Sequence, residues 1–205
     1  MKILITTGPT REYIDDVRFI TNASSGKMGV ELAKASLARN HEVTLIHGPI
    51  SVELPDCNTI AVTSAEDMFN AVKGELQNDY DVFISAAAVA DFKPDKVRGK
   101  IKSGRETILN LKPTEKITAY AKKNFPKLKV VAFKAEYGPG DDQLLKKAMT
   151  KKGKEGLDAI IANNIRDNPM GGVENEVFII EKGVKHIQKA PKGTIASEII
   201  STLGF

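Results

Sequence analysis

Very little in this chain could cross-link it, bind a transition metal or span a membrane. A single cysteine, Cys57, is present among 205 residues. One cysteine excludes an internal disulfide framework and suits a reducing compartment, so a plain free thiol in a cytoplasmic protein is expected. The three histidines, His41, His47 and His186, show no metal-ligand spacing, and with one thiol this argues against a metal held by side-chain nitrogen or sulfur. Tryptophan is absent. No apolar run approaches the roughly 18–20 residues that a bilayer requires. The first residues, Met1–Gly8, lack the longer apolar core and cleavage site of a signal peptide and read as a strand.

What is present is ordinary for a globular protein: 41% hydrophobic and 27% charged residues, at a length that fits one large domain, 1–205. The net charge of +4 favours phosphates without specifying them. Between Lys93 and Lys116 eight Lys/Arg face three Asp/Glu, with no aromatic among them. A nucleic-acid platform would interleave stacking side chains, so no nucleic-acid partner is expected.

Short apolar runs rich in β-branched residues alternate with helix-period segments. Strands are predicted at Lys2–Thr7, Glu42–His47, Thr59–Thr63, Asp81–Ala87, Lys129–Phe133 and Leu157–Asn163. Helical stripes run through Met68, Phe69, Val72 and Leu76, through Ile117, Tyr120 and Ala121, and through Leu144, Leu145, Ala148 and Met149. A capping box is expected at Thr63–Glu66, and Asn40 can close the first helix in the left-handed conformation. This alternation defines an α/β fold: a Rossmann-like, doubly wound, mostly parallel sheet with helices on both faces. Two interruptions read as hairpins. One is inserted after the fourth strand, Lys100–Lys102 and Thr107–Leu111 around the turn 103–106. The other pairs Glu176–Ile180 with Val184–Gln188, ahead of a last helix with Ile195, Ile199 and Leu203 on one stripe.

After the first strand a long connection leads to Ser25-Gly26-Lys27-Met28-Gly29, which opens a helix running to about Arg39. Glycines three apart at a helix start admit a ligand close to free N–H groups, and equally admit close helix–sheet packing. The second strand ends His47-Gly48-Pro49 without the acid that holds a dinucleotide ribose. No tyrosine is followed four residues on by lysine, the pair that a short-chain dehydrogenase would show, and an NAD(P)-binding oxidoreductase stands as the alternative reading.

Three stretches resemble phosphopantothenate–cysteine ligase: Gly8–Glu12 with Val17–Gly29, Ser85–Phe92 followed by Gly99–Lys102, and Ile161–Asn164. The resemblance implies that 4′-phosphopantothenate is activated by CTP with Mg²⁺, as an acyl-cytidylate with loss of pyrophosphate, and is then coupled to L-cysteine. It implies catalytic roles for Asn22, Lys100 and Arg18, with Lys100 on a flap. Nucleotide contacts would come from Ser85, Ala86, Ala87, Asp91, Lys100, Thr114, Glu115, Lys116, Ile117, Phe133 and Lys151. Substrate contacts would come from Gly8, Asn22, Ser24, Ser25, Gly26, Met28 and Ala88. It further implies a homodimer, and a flavin-dependent decarboxylase fused or partnered in bifunctional members. Mg²⁺ would be held mainly by the triphosphate. Glu155 stands where relatives carry a second lysine, with Lys154 beside it, and Lys134 stands where they carry alanine. These departures leave open which lysine meets the triphosphate and whether CTP or ATP is preferred.

Overall fold

A computed structural model describes residues 1–104, 106–138 and 140–205. In chain order the elements are β1 (Lys2–Thr7), β2 (Arg11–Tyr13), β3 (Phe19–Thr21), α1 (Lys27–Leu37), β4 (Glu42–His47), β5 (Asn58–Ala61), α2 (Ala65–Glu75), β6 (Val82–Ser85) and β7 (Phe92–Pro94). Then come β8 (Leu111–Pro113), α3 (Ile117–Asn124), β9 (Lys129–Glu136), α4 (Asp141–Glu155), β10 (Ala159–Asn164), β11 (Glu174–Ile180), β12 (Val184–Pro191) and α5 (Lys192–Thr202). The main sheet has the order β12-β11-β10-β9-β6-β1-β4-β5. Its six strands from β5 to β10 are mutually parallel, and β11 and β12 extend it antiparallel. The parallel part winds outward from β1 in both directions, which is the doubly wound order with a switch point between β1 and β6.

The pleat explains how the run Ile3-Leu4-Ile5 serves two cores. Successive side chains leave a strand on opposite faces. Ile3 and Ile5 join a cluster with Leu32, Ile195 and Ile199 of α1 and α5. Leu4 joins the opposite cluster with Met68, Ala121 and Leu144 of α2, α3 and α4. Met149, expected on the α4 stripe, is 47% exposed; Leu144 and Ala148 suffice to bury that short face.

Local corrections have local causes. The α2 capping box forms one residue later than predicted, with Ser64 as N-cap and Asp67 closing it, since both side chains there satisfy the amides of Asp67 and Ser64. Asn40 does adopt a left-handed φ of 60°. The inserted hairpin pairs Phe92–Pro94 with Leu111–Pro113, while Lys100–Lys102 and Thr107–Asn110 form no strand. Within its turn, Arg105 lies outside the described residues. The connection from Gly8 to Ser25 carries its own hairpin, β2–β3, which sequence periodicity did not reveal because each strand is three residues long.

Candidate functional site

The loops leaving β1 and β6 run side by side beyond the sheet's carboxyl edge. Ala86 donates to the Thr6 carbonyl at 3.1 Å, Ala88 to that of Gly8 at 2.8 Å, and Pro9 bridges Ala88 as in a parallel ladder. Asn22 is fastened to this ledge. Its Nδ2 donates to the carbonyls of Ala88 at 2.9 Å and Val89 at 3.4 Å. Oδ1 is left as a hydrogen-bond acceptor.

Facing the ledge is a cavity of about 570 Å³ at the switch point. Its wall brings together Asn22, Ser24, Ser25, Gly26 and Met28 with Ser85, Ala86, Ala87, Ala88 and Asp91. Thr114, Glu115, Lys116, Ile117, Phe133 and Lys151 complete the set of predicted residues that meet there. Lys154 is exposed and absent from the wall, so Lys151 is the lysine of α4 that faces the cavity.

Three helices begin at this wall, and none has a side-chain cap. They are α1 after Gly26, α3 after Lys116 and α5 after Pro191. Their first-turn N–H groups have no partners within the helix and, with the helix dipoles, favour an anion. At α3, Thr114 is tied to the 90–91 backbone through its amide to the Asp91 carbonyl at 3.0 Å and its hydroxyl to that of Ala90 at 2.6 Å. Lys116 pairs with Asp91 at 2.6 Å. Glu155 takes the Thr118 hydroxyl at 2.6 Å and stands 3.9 Å from Lys151.

The glycines divide between the two roles that their spacing allowed. A Cβ on Gly29 would sit 2.3 Å from Thr7 Cβ and Oγ1, so this glycine serves helix–sheet contact. Gly26 holds φ +77°, which turns the chain into α1. A Cβ on Gly48 would fall 1.7 Å from the Pro9 carbonyl oxygen. The Gly8–Pro9 loop therefore covers the end of β4, where a dinucleotide-binding domain would hold its ribose. Both this packing and the missing acid disfavour the oxidoreductase.

Three predicted residues are not brought to the wall: Gly8, Arg18 and Lys100. Gly8 (φ +81°) supplies backbone to the ledge. Arg18 acts as a latch: its guanidinium grips the fully buried carboxylate of Asp15 and donates to the Ile101 carbonyl at 2.8 Å. Asp15 also accepts the amides of Val17, Arg18 and Ile101 at 2.7–3.1 Å, and Asp16 accepts that of Gly99 at 2.7 Å. The Arg18 hydrogen bond, with those amides, holds the Asp15 carboxyl far below the usual carboxylate range. Lys100 rides exposed on the segment so latched. Sequence reasoning missed Lys27, Asn163, Asn168, Asn175 and Lys192, which also line the cavity. The last three lie far along the chain, and no spacing marked them.

A Rossmann-like α/β domain with a polar cleft at its switch point is the class that this fold and site define. More narrowly, the chain belongs to the DNA/pantothenate metabolism flavoprotein C-terminal domain family, whose model matches residues 1–204. It is 42% identical over 195 residues to the coenzyme A biosynthesis bifunctional protein CoaBC of Thermococcus kodakarensis, covering 94% of this chain and 47% of that protein. With CoaBC of Vibrio vulnificus it shares 35% over 210 residues, covering 98% of the chain and 51% of the relative. The crystal structure of the C-terminal domain of a CoaBC superposes with a TM-score of 0.83 at 34% identity, covering 98% and 93% of the two chains. The chain thus spans about half the length of the curated relatives it matches. The motifs around Asn22 and Asp91 led to the same family.

Proposed function

We propose that this chain is the ligase domain that joins 4′-phosphopantothenate to L-cysteine at the expense of CTP. The observation that carries the reading is the cavity itself, where the Asn22 loop, the 85–91 ledge, the α3 N-terminus and Lys151 share one wall. Family membership and the names of the relatives support it.

The substrate carboxylate attacks the α-phosphorus of the nucleotide. The bond to the β-phosphate oxygen breaks, and its electron pair leaves with pyrophosphate. The cysteine amine then attacks the acyl carbon, loses a proton, and CMP departs. Small side chains at Ser85, Ala86 and Ala87 let a flat base or ribose lie against backbone, with half-buried Phe133 beside it. The α3 N-terminus, Lys116 and Lys151 would receive charge that moves onto the leaving pyrophosphate. With Nδ2 committed to the ledge, Asn22 offers Oδ1 to an N–H of the incoming amine, aligning it for attack. Among the described residues no cluster of three His, Cys, Asp or Glu could hold a metal. In this scheme Mg²⁺ comes with the triphosphate as co-substrate, and no step above depends on a protein-held ion.

Lys100 and Arg18 enter the scheme differently. Latched to Asp15–Arg18 and outside the wall, Lys100 would act only after its arm folds over the cavity or from a second copy of the chain, in keeping with a homodimer. A flavin-dependent decarboxylase as fused or separate partner, and a reducing cytoplasm that spares the half-buried Cys57, fit the same reading. The test is direct. Incubation with 4′-phosphopantothenate, cysteine, Mg²⁺ and CTP should release pyrophosphate and CMP, and faster than ATP yields AMP. No pyrophosphate from either nucleotide would reject it.

A further inference from the structure

Two lysines share one carboxylate at the edge of the cavity. Lys134 and Glu136 lie two apart on β9, so both side chains leave the strand on one face. It is the face of Ala132, which packs with Leu144 and Ala148 of α4. The Lys134 ammonium meets Glu136 Oε1 at 2.6 Å, and that of Lys147, from α4, meets Oε2 at 2.6 Å. These two ammonium groups, Lys134 first, hold the Glu136 carboxyl below the usual carboxylate range. Two cations on one anion leave a positive charge over. Elsewhere at the α3 end of the wall the matching is one to one. Lys116 has Asp91 at 2.6 Å, and Lys151 has Glu155 at a looser 3.9 Å.

The two lysines on Glu136 are not equivalent. Lys134 lines the cavity, whereas Lys147 lies outside its wall and is half exposed. Each uses a different oxygen of Glu136, so Lys147 keeps the carboxylate paired when Lys134 leaves it. Without Lys147, that departure would strand a carboxylate whose side chain is only 18% exposed, which is costly. Lysine suits such a transfer, because its ammonium is a point charge on a flexible stem. Neighbouring residues mark where it can go. Lys147, Lys151 and Glu155 follow one another at four-residue intervals and share one face of α4, so Lys151 stands one turn from the shared carboxylate. Glu155 takes the Thr118 hydroxyl at 2.6 Å, which ties this face to the uncapped first turn of α3. Lys134, Lys151 and the α3 N-terminus thus border one end of the cavity.

We infer that Lys134 is a ligand for the polyphosphate of the nucleotide, held on Glu136 until the nucleotide binds and then released to it while Lys147 keeps the carboxylate. This rests on the reading under Proposed function and deepens it. Lys134 joins Lys151 and the α3 N-terminus in receiving the charge that moves onto the leaving pyrophosphate. Lys134 touches the substrate, Lys147 acts through it as a positioning residue, and Glu136 sets what the transfer costs.

The experiment measures pyrophosphate release by wild type, K134Q, K134R, K147Q, E136Q and E136Q/K147Q, varying CTP and phosphopantothenate separately. Losing a hydrogen bond to a charged phosphate predicts a KM for CTP about 10- to 100-fold higher in K134Q. K134R should recover most of the loss, and the KM for phosphopantothenate should stay within about twofold. K147Q should raise the KM for CTP about fivefold or more, since Lys134 can then leave only by stranding Glu136. E136Q frees Lys134 outright and should lower that KM about two- to fivefold, the worth of an exposed ion pair. On the E136Q background, K147Q should have no further effect. A purely structural ion pair predicts none of these shifts. An unchanged KM for CTP in K134Q, or a K147Q effect that persists without Glu136, overturns the inference. In parallel, inorganic tripolyphosphate is titrated into wild type and K134Q and followed by calorimetry. Binding at least about tenfold weaker in K134Q is expected; equal binding, or none by wild type, also overturns it. If the tripolyphosphate result holds but neither nucleotide yields pyrophosphate, the ligase reading fails while the polyphosphate site stands. If K134Q turns over like wild type, the ligase reading stands and Lys134 leaves the site.

Discussion

Replacing Gly29 with alanine probes the contact that sets α1 against the sheet. The added Cβ would lie 2.3 Å from both Cβ and Oγ1 of Thr7. Neither atom is the end of a flexible chain, so the helix must move. Overpacking of a dense core costs about 1–3 kcal/mol. The same shift breaks the hydrogen bond from Thr7 to the Gly26 carbonyl, 2.7 Å long and buried, worth about 1 kcal/mol more. Alanine's better helix propensity returns about 1 kcal/mol. The net expectation is a destabilisation of about 1–3 kcal/mol, or a Tm lower by roughly 2–12 °C for a chain of this size. Because α1 begins at the cavity, the KM for phosphopantothenate should rise as well. Gly153 in α4 is the control: no atom lies within 4 Å of its added Cβ and its φ is not positive, so Gly153→Ala should gain about 0.5–1 kcal/mol. Thermal melts of both variants decide the matter. A Gly29→Ala protein that melts with or above wild type, with unaltered KM, refutes the packing argument.

Asn22→Asp puts an oxygen where Nδ2 now meets the Ala88 and Val89 carbonyls, and repulsion there turns the side chain away. Pyrophosphate release should persist while amide formation falls by at least about 100-fold, visible as accumulation of the acyl-nucleotidylate by mass spectrometry. Lys100→Ala should abolish pyrophosphate release while leaving the Tm unchanged, because its exposed side chain supports no packing; normal turnover would remove it from the site. Glu12→Ala should cost about 1–3 kcal/mol in a denaturant melt, since the buried Glu12 carboxylate accepts the first amide of α2, Ala65, at 2.8 Å. Asp15 titrates far below its unfolded value near 4, so its stabilisation is complete above about pH 5 and is lost as the pH falls through the acid range. Asp15→Asn should flatten that acid limb, and hydrogen exchange at Ile101, whose amide Asp15 accepts, should quicken in the variant.

The parallel sheet was legible because its strands are buried on both faces. The runs at Lys2–Thr7 and Glu42–His47 announce themselves with matching bounds, since apolar continuity needs no partner to be read. The mistaken hairpin at Lys100–Lys102 shows the opposite case. Alternating residues there suggested pairing, yet the amides of Gly99 and Ile101 are taken by Asp16 and Asp15, more than 80 residues earlier. A competition between a local ladder and a distant carboxylate cannot be judged from either segment alone, and the buried, fourfold-satisfied Asp15 wins it. The cavity divides along the same line. Asn22, Asp91 and Lys116 sit in contiguous motifs at strand and helix ends, where the winding of the sheet gathers them. Lys192 was hidden because it is one lysine among many in the sequence. Its difference lies in having the Gly172 carbonyl and no carboxylate among the described residues, a property of the folded neighbourhood alone. Uncompensated charge at a helix start is thus a tertiary signal, and it marks the part of the site that motif reading leaves blank.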